Sequence, residues 1–254
     1  MLTAITRAVS QSLGNCELTW QAREPIDIEE AQAEHRGYEH LLESLGARVI
    51  SLPALEEHPD AVFVEDAAIV LDEIAVIATM GVESRRGERD SVGDALSKFR
   101  SLIYMRGPAK LEGGDVMRIG DELYVGLSAR TDETGMEQLA HRVQPFGYRV
   151  VPLKPRDCLH LKSACCFIGD DTILLNRQLV DTEPLHRYRL LDVAPSEPNA
   201  ANALRVNETV VLPSAFPATA ELLENAGFHV AVVNITELLK AESGVTCSSL
   251  LFDA

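Results

Sequence analysis

Long apolar runs are missing from this chain: no stretch approaches the roughly eighteen consecutive apolar residues of a membrane-spanning helix. The opening MLTAITRAVSQSLGN lacks the charged-then-apolar layout of a secretory signal, so a soluble, cytoplasmic protein with no membrane partner is expected. Cysteine is scarce and poorly arranged for bridging. There are five (Cys16, Cys158, Cys165, Cys166, Cys247), an odd number with no C-x-x-C pair, and the adjacent Cys165 and Cys166 are badly placed for a mutual bond. This excludes a disulfide framework and implies reduced thiols; the apolar context SACCFIG suits buried thiols acting as small hydrophobes. Basic residues are outnumbered, 23 Lys and Arg against 39 Asp and Glu, a formal net charge of -16. Without a basic stripe such a surface repels phosphate backbones, so nucleic acid is not an expected partner, whereas a small cationic ligand would be mildly concentrated. Low-complexity Pro, Gly or Ser tracts are absent as well, which leaves no candidate interior linker.

What the chain does have is 254 residues with 46% hydrophobic content, enough for a large core in one domain over 1–254. A repeat runs through it. IVLDEIAVI (69–77), MRIGDELYV (117–125), FIGDDTILL (167–175) and LRVNETVVL (204–212) each place a short polar turn between β-prone runs. The first turn residues are read as Asp72, Gly120, Gly169 and Asn207, so the unit recurs at roughly fifty residues and once at a shorter interval. Three segments, HLLESLGARVISLP, MEQLAHRVQPFGYRVVPL and ATAELLENAGFHVAVV, continue as a helix closed by a glycine (Gly46, Gly147, Gly227) and then a strand. Glycine there suits a left-handed C-cap. The unit is strand, strand, helix, strand, and the leftover ends LTAITRAV and SSLLFDA suggest a fifth unit shared between the termini. A closed ring of five α/β units follows; an open α/β sheet is the alternative.

At the start of each unit's first strand stand chemically expensive residues: PDAVFVEDAA (59–68), LEGGDVM (111–117), CLHLKSACC (158–166), PNAANALR (198–205) and VTCSSLLF (245–252). In a ring, equivalent positions converge on the axis, so Glu65, Asp66, Glu112, His160 and Cys247 could meet. A hydrolytic cysteine needs a partner that favours the thiolate and a proton donor for the leaving group. Imidazole can supply the proton, and a carboxylate can orient the imidazole. The plain alternatives are a satisfied core histidine, an inert cysteine and a Glu-Gly-Gly-Asp turn.

At these residues the sequence resembles the guanidine-modifying superfamily, and within it most closely the dimethylarginine dimethylaminohydrolase family. The matching stretches are PDAVFVEDAA, ESRRGE (83–88), LEGGDVM, GLSART (126–131), LHLKS (159–163), NAAN (199–202) with VNETVVLP (206–213), and GVTCSSL (244–250), in the family's order along essentially the whole chain. The resemblance implies a five-bladed α/β-propeller of ββαβ units with pseudo-fivefold symmetry. It implies hydrolysis of asymmetric dimethylarginine or monomethylarginine to citrulline and dimethylamine or methylamine through a covalent thiouronium, with no metal or organic cofactor. It makes Cys247 the nucleophile, His160 the general acid and then base, and Glu112 the third catalytic member. By the same matches Asp66, with Glu65 beside it, grips the guanidinium, and Asp60 contacts the α-amino group. Arg85 and Arg130 hold the α-carboxylate, and Leu18 and Ala241 contribute backbone contacts. The expected partner is thus a small methylated arginine, with room for a homodimer.

Two other readings stay open. A related guanidino hydrolase would act on arginine or citrulline, although arginine deiminases are generally longer, with an added helical region. A non-catalytic five-unit propeller, as in ribosome anti-association factors, would need no cysteine nucleophile. A segment over residues 12–20, SLGNCELTW with its flexible Gly14, is placed to cover the site.

Overall fold

The computed structural model describes residues 1–254. In chain order the first elements are β1 (Leu2–Arg7), helix α1 (Ile28–Ser44) and β2 (Arg48–Leu52). A second unit holds β3 (Ala68–Val70), β4 (Ile74–Ile77), α2 (Glu88–Leu96) and β5 (Ser101–Tyr104), and a third holds β6 (Val116–Ile119), β7 (Glu122–Gly126), α3 (Glu133–Val143) and β8 (Arg149–Leu153). The fourth opens with the short α4 (Leu161–Ala164), then β9 (Cys165–Gly169), β10 (Thr172–Leu175) and β11 (Arg189–Asp192). Next come β12 (Leu204–Val206), β13 (Thr209–Pro213), α5 (Pro217–Asn225) and β14 (His229–Val233), followed by α6 (Thr236–Leu239) and β15 (Leu250–Asp253).

These strands make five separate three-stranded sheets, each an antiparallel pair extended by one parallel strand. The fifth sheet draws on both ends of the chain. β15 pairs antiparallel with β1, and β1 parallel with β2, as the terminal strands of the sequence anticipate. The helix boundaries follow local chemistry. Asp27 and Asp132 accept the N–H groups of Glu30 and Gly135 at the starts of α1 and α3, and Gly46, Gly147 and Gly227 take φ of +92°, +90° and +98° where the helical segments stop.

The ring is dictated by the central strands. Their side chains alternate, and both faces are apolar, so each central strand needs a packed neighbour on either side. Ala75 and Ile77 of β4 pack with Ile5 and Phe252 of the first sheet, while Ile74 and Val76 pack with Leu123 and Val125 of β7. Tyr124 of β7 then meets Ile173 and Leu175 of β10, and Leu174 meets Val210 and Leu212 of β13. Val211 closes the circle against Ala4, Tyr38 and Leu42. Five apolar clusters therefore fill five seams, an arrangement that an open sheet with two free edges cannot produce. The fold is a five-bladed α/β-propeller.

Two local expectations are corrected. The fourth unit crosses from β10 to β11 with a single 3-10 turn, Glu183–Leu185, in place of an α-helix, which accounts for the short interval in the repeat. Its hairpin also turns one residue later than read: Asp170 and Asp171, both at φ +50°, form the turn, and Gly169 ends the strand. Two consecutive left-handed residues match the right-handed twist of the flanking strands, and aspartate tolerates that region better than most side chains. No helix is long and apolar enough to cross a membrane.

Candidate active site

The polar segments that precede β3, β6, β9, β12 and β15 converge on the inner end of the ring. Glu65 and Asp66 lie on a 3-10 turn, Val64–Ala67, and Glu112 leads into another, Gly113–Asp115. His160 stands at the start of α4, and Cys247 precedes β15. Such close convergence needs residues without side chains. A Cβ on Gly113 would lie 2.0 Å from the Glu65 carbonyl oxygen, and one on Gly114 would fall 2.7 Å from Asp66 Oδ1 and 2.8 Å from His160 Nδ1. Glycine at both positions lets two blades and the imidazole come together, and the Gly114 N–H then donates to Asp66 at 3.0 Å.

His160 Nε2 lies 2.7 Å from Glu112 Oε2 and 3.8 Å from Asp66 Oδ1. Burial would lower the imidazole's pKa, but the carboxylates of Asp66, Asp115 and Glu112 prevail and raise it to about 9. His160 is therefore an imidazolium at neutral pH. Glu112 is fully buried; burial favours its neutral form, yet the hydrogen bond with His160 and the nearby cations hold its carboxyl below the ordinary range. The Gly81 N–H also donates to Glu112, and Arg130 Nη1 stands 3.5 Å away. Asp115 fixes the histidine turn from behind by accepting the Leu161 N–H at 2.9 Å and the Ser128 hydroxyl at 2.7 Å; burial pushes its carboxyl up to about 6.

Arg85 is held by carboxylates: Nη1 donates to Asp66 Oδ2 at 2.8 Å, and Nε and Nη2 to Glu88. Burial and neighbouring Asp60 and Asp66 raise the Glu88 carboxyl to about 7 against the pull of Arg85. Arg130 differs in that its buried Nη1 has no hydrogen-bond partner. Asp66, Glu112 and His160 offer atoms within 4.8 Å of one another, a spacing that suits a metal. The Arg85 guanidinium already occupies the cation's place beside Asp66 and lies 4.0 Å from Glu112, so an ion there would meet like charge.

His160 and Cys247 line one cavity, together with Asp60, Asp66, Arg85, Arg130 and Ala241. Its free space is about 10 Å³, room for about one water molecule. The segment after Cys16 closes it. Glu17 N–H donates to Asp60, the Ser84 hydroxyl to Glu17, Arg130 Nη2 to Thr19 Oγ1, and three successive N–H groups, of Thr19, Trp20 and Gln21, to the Glu242 carboxylate. Burial, and then Glu65 and Asp66, push the Cys247 thiol well above its ordinary value, so at neutral pH these groups keep the sulfur protonated.

Two expected contacts lie elsewhere. Glu65 does not line this cavity: Lys162 Nζ donates to its Oε1 at 2.6 Å and the Thr246 hydroxyl to its Oε2 at 2.7 Å, which occupies both oxygens and turns the group toward the axial channel. Leu18 is half-buried against the first seam and is not part of the cavity lining. The motifs quoted from the sequence contain Glu88, Asp115, Lys162, Asn202 and Thr246, and the covering segment 12–20 contains Glu17, but none of these was singled out there, and Glu242 lies in undistinctive sequence.

Residues 10–190 match the family model described as N,N dimethylarginine dimethylhydrolase, eukaryotic. The chain is 36% identical over 248 residues to the N(G),N(G)-dimethylarginine dimethylaminohydrolase of Streptomyces coelicolor, covering 97% of this chain and 95% of that one. In structure it resembles the enzyme of that name from Pseudomonas aeruginosa, solved as a cysteine-to-serine mutant complexed with citrulline (TM-score 0.94, 29% identity, 99% and 100% coverage). It also resembles a histidine-to-glycine dimethylarginine dimethylaminohydrolase solved as an adduct with S-methyl-L-thiocitrulline (TM-score 0.95, 30% identity, 99% and 100% coverage). A buried imidazolium and a cysteine share one cavity on a five-bladed ring, with Glu112 bound to the imidazole from behind the lining, and similarity extends over nearly all the chain, so the protein belongs to the dimethylarginine dimethylaminohydrolase family.

Proposed function

We propose that the chain hydrolyses asymmetric dimethylarginine or monomethylarginine to citrulline and dimethylamine or methylamine, with residues 1–254 acting as one catalytic unit. The observation that carries this reading is His160, held as an imidazolium by Asp66, Asp115 and its hydrogen-bond partner Glu112, lining the same cavity as Cys247 and Asp66. Asp66 takes the planar guanidinium, and Asp60 the α-amino group. Arg130, whose Nη1 makes no hydrogen bond although it lies 3.5 Å from Glu112, takes the α-carboxylate together with Arg85, for which a guanidinium fork is well shaped. Ala241 borders the amino-acid end, and Glu65 and Leu18 act from outside the lining.

The arriving cation offsets the carboxylates that disfavour ionisation of Cys247, and the thiol proton leaves to solvent. Sulfur attacks the guanidinium carbon, forming a C–S bond. His160 gives its proton to the methylated nitrogen, the C–N bond breaks, and the amine departs, leaving a thiouronium and a neutral imidazole. Water then loses a proton to His160 as it adds to the same carbon. Collapse breaks the C–S bond, the remaining hydroxyl proton passes to the departing sulfur, and citrulline is left with Cys247 again a thiol and His160 again an imidazolium; the proton first lost to solvent is taken up by the released amine. No organic or metal cofactor takes part in this scheme.

Amine release tests it. Wild type should liberate dimethylamine from asymmetric dimethylarginine much faster than ammonia from arginine, while Cys247→Ser should bind substrate without turnover. Full turnover by the serine variant would refute the role of Cys247, and faster ammonia release from arginine would move the protein to the deiminase reading. Five free cysteines, none bridged, support a reducing cytoplasmic setting; light scattering would distinguish a homodimer from a monomer.

A further inference from the structure

Beneath the nucleophile four side chains from four parts of the chain close a hydrogen-bonded ring. Lys162 Nζ donates to Glu65 Oε1 (2.6 Å), and the Thr246 hydroxyl donates to Glu65 Oε2 (2.7 Å). Asn202 Nδ2 donates to Thr246 Oγ1 (2.9 Å) and to the Lys162 carbonyl (3.1 Å), while Asn202 Oδ1 accepts the Thr246 N–H (3.1 Å). Every polarity is determined. A carbonyl only accepts and a backbone N–H only donates, so the Asn202 amide has one orientation; the hydroxyl, facing the amide's donor on one side and a carboxylate on the other, gives its proton to Glu65.

The ring seals a boundary. Glu65, Lys162 and Thr246 line an axial cavity of about 530 Å³, whereas Cys247, the next residue along, lines the small closed one. It also sets the nucleophile's position. Thr246 is bound through both its backbone and its side chain, the Cys247 carbonyl accepts the Glu65 N–H at 3.1 Å, and the Cys247 sulfur accepts the Gly244 N–H at 3.3 Å. The turn is tight: a Cβ on Gly244 would fall 2.2 Å from Asn202 Oδ1. The mechanism proposed above uses none of Lys162, Asn202 or Thr246, yet all three are buried or nearly so, and their bonds cost desolvation.

We propose that Thr246 and Asn202 are positioning residues that, through the ring with Glu65 and Lys162, hold the Cys247 sulfur at its angle toward His160 and limit the negative charge that Glu65 presents to it. This rests on the reading of Cys247 as nucleophile. Thr246 and Asn202 touch no substrate; their effect passes through the loop that carries the sulfur and through the neutralisation of Glu65 by two donors.

The test is a matched pair, Thr246→Val and Thr246→Ser, with Asn202→Asp as a second lesion should the valine variant not fold. Valine keeps the shape but removes the hydroxyl. It should lower kcat for asymmetric dimethylarginine by about 100-fold, the loss associated with a misplacement of about 1 Å, and leave KM within about threefold. Serine restores the donor and should return kcat to within about threefold of wild type. Independently of turnover, carbamidomethylation of Cys247 by iodoacetamide, followed by peptide mass across pH, should shift to higher pH in Thr246→Val and Asn202→Asp and return in Thr246→Ser. Wild-type kcat in the valine variant, equal losses in valine and serine, or a kcat loss that merely tracks the fraction unfolded would overturn the proposal. The two layers separate: if wild type releases no dimethylamine while the alkylation profiles keep this order, the hydrolase reading fails and the positioning role stands.

Discussion

Replacing Glu112 by glutamine removes one negative charge 2.7 Å from His160 and leaves the shape of the site in place. Burial alone would lower the His160 pKa; Asp66, Asp115 and Glu112 together lift it to about 9. A hydrogen bond to a charged group contributes about 1.5–3 kcal/mol, and 1.36 kcal/mol corresponds to one pKa unit, so the substitution should lower His160 by about 1–2 units, to about 7–8. Loss of Glu112 also leaves Arg85 and Arg130 less opposed, which pushes in the same direction. Stability follows from linkage. Because the folded pKa lies above the unfolded value of 6.5, His160 stabilises the fold fully below about pH 6.5, and the contribution, roughly 3 kcal/mol, is lost as pH rises through 9. In Glu112→Gln the same loss should be smaller and complete by about pH 8. Proton NMR of the His160 ring across pH 5–11, with urea unfolding at each end, reads both quantities. The alkaline limb of kcat should shift down with the NMR midpoint. A variant imidazole still titrating near 9, or a wild-type stability flat between pH 6 and 10, would refute the assignment of Glu112 as the group that holds the proton on His160.

Arg130→Lys keeps the charge but loses the fork whose Nη1 makes no hydrogen bond within the protein; one charge-assisted bond corresponds to about 10–100-fold in citrulline affinity by calorimetry, with kcat much less affected. Gly113→Ala sets a Cβ 2.0 Å from a backbone oxygen, so neither group can swing away, and a loss of about 4 kcal/mol or more in urea unfolding is expected. Tyr38→Phe removes the buried hydroxyl that donates to the Val245 carbonyl at 2.8 Å and meets Ser249 at 2.7 Å; the stranded carbonyl should lower stability by about 1–3 kcal/mol while KM stays near wild type.

The ring was legible because its signals are local and repeated. A polar turn between β-prone runs and a glycine after an amphipathic helix describe one unit, and a repeat of such units forces either a stack or a circle. The fourth crossover escaped because the residues between β10 and β11 carry no helical period and the chain needs only one 3-10 turn there. At the site, residues whose chemistry is distinctive, Cys247, His160 and Glu112, stood out in the motifs, whereas Asn202, Thr246 and Lys162 did not. An asparagine or threonine in a motif signals nothing until its partners are known, and here those partners lie far away in sequence. Glu65 shows the converse: adjacent to Asp66, it was expected on the substrate, yet successive residues of a tight turn point apart, and Glu65 meets Lys162 across the ring.

The electrostatics explain why so many carboxylates can share this small volume. Asp60, Asp66, Glu88, Glu112 and Asp115 would repel one another if all were ionised without compensation, and burial indeed pushes Asp60, Glu88 and Asp115 toward the neutral form. Asp66 and Glu112 are held ionised by the cations around them, Asp66 by His160 and Arg85 and Glu112 by His160, whereas for Glu88 burial outweighs even its direct bonds to Arg85. A further positive charge in the cavity where Asp60 and Asp66 face Cys247 would favour the ionised form of Asp60 and of the sulfur together. In the proposed mechanism the sulfur stays protonated without a bound cation and ionises beside one, which guards it from stray electrophiles and ties its reactivity to recognition of the guanidinium. In that mechanism the same carboxylates that suppress ionisation of Cys247 thus select the ligand that permits it.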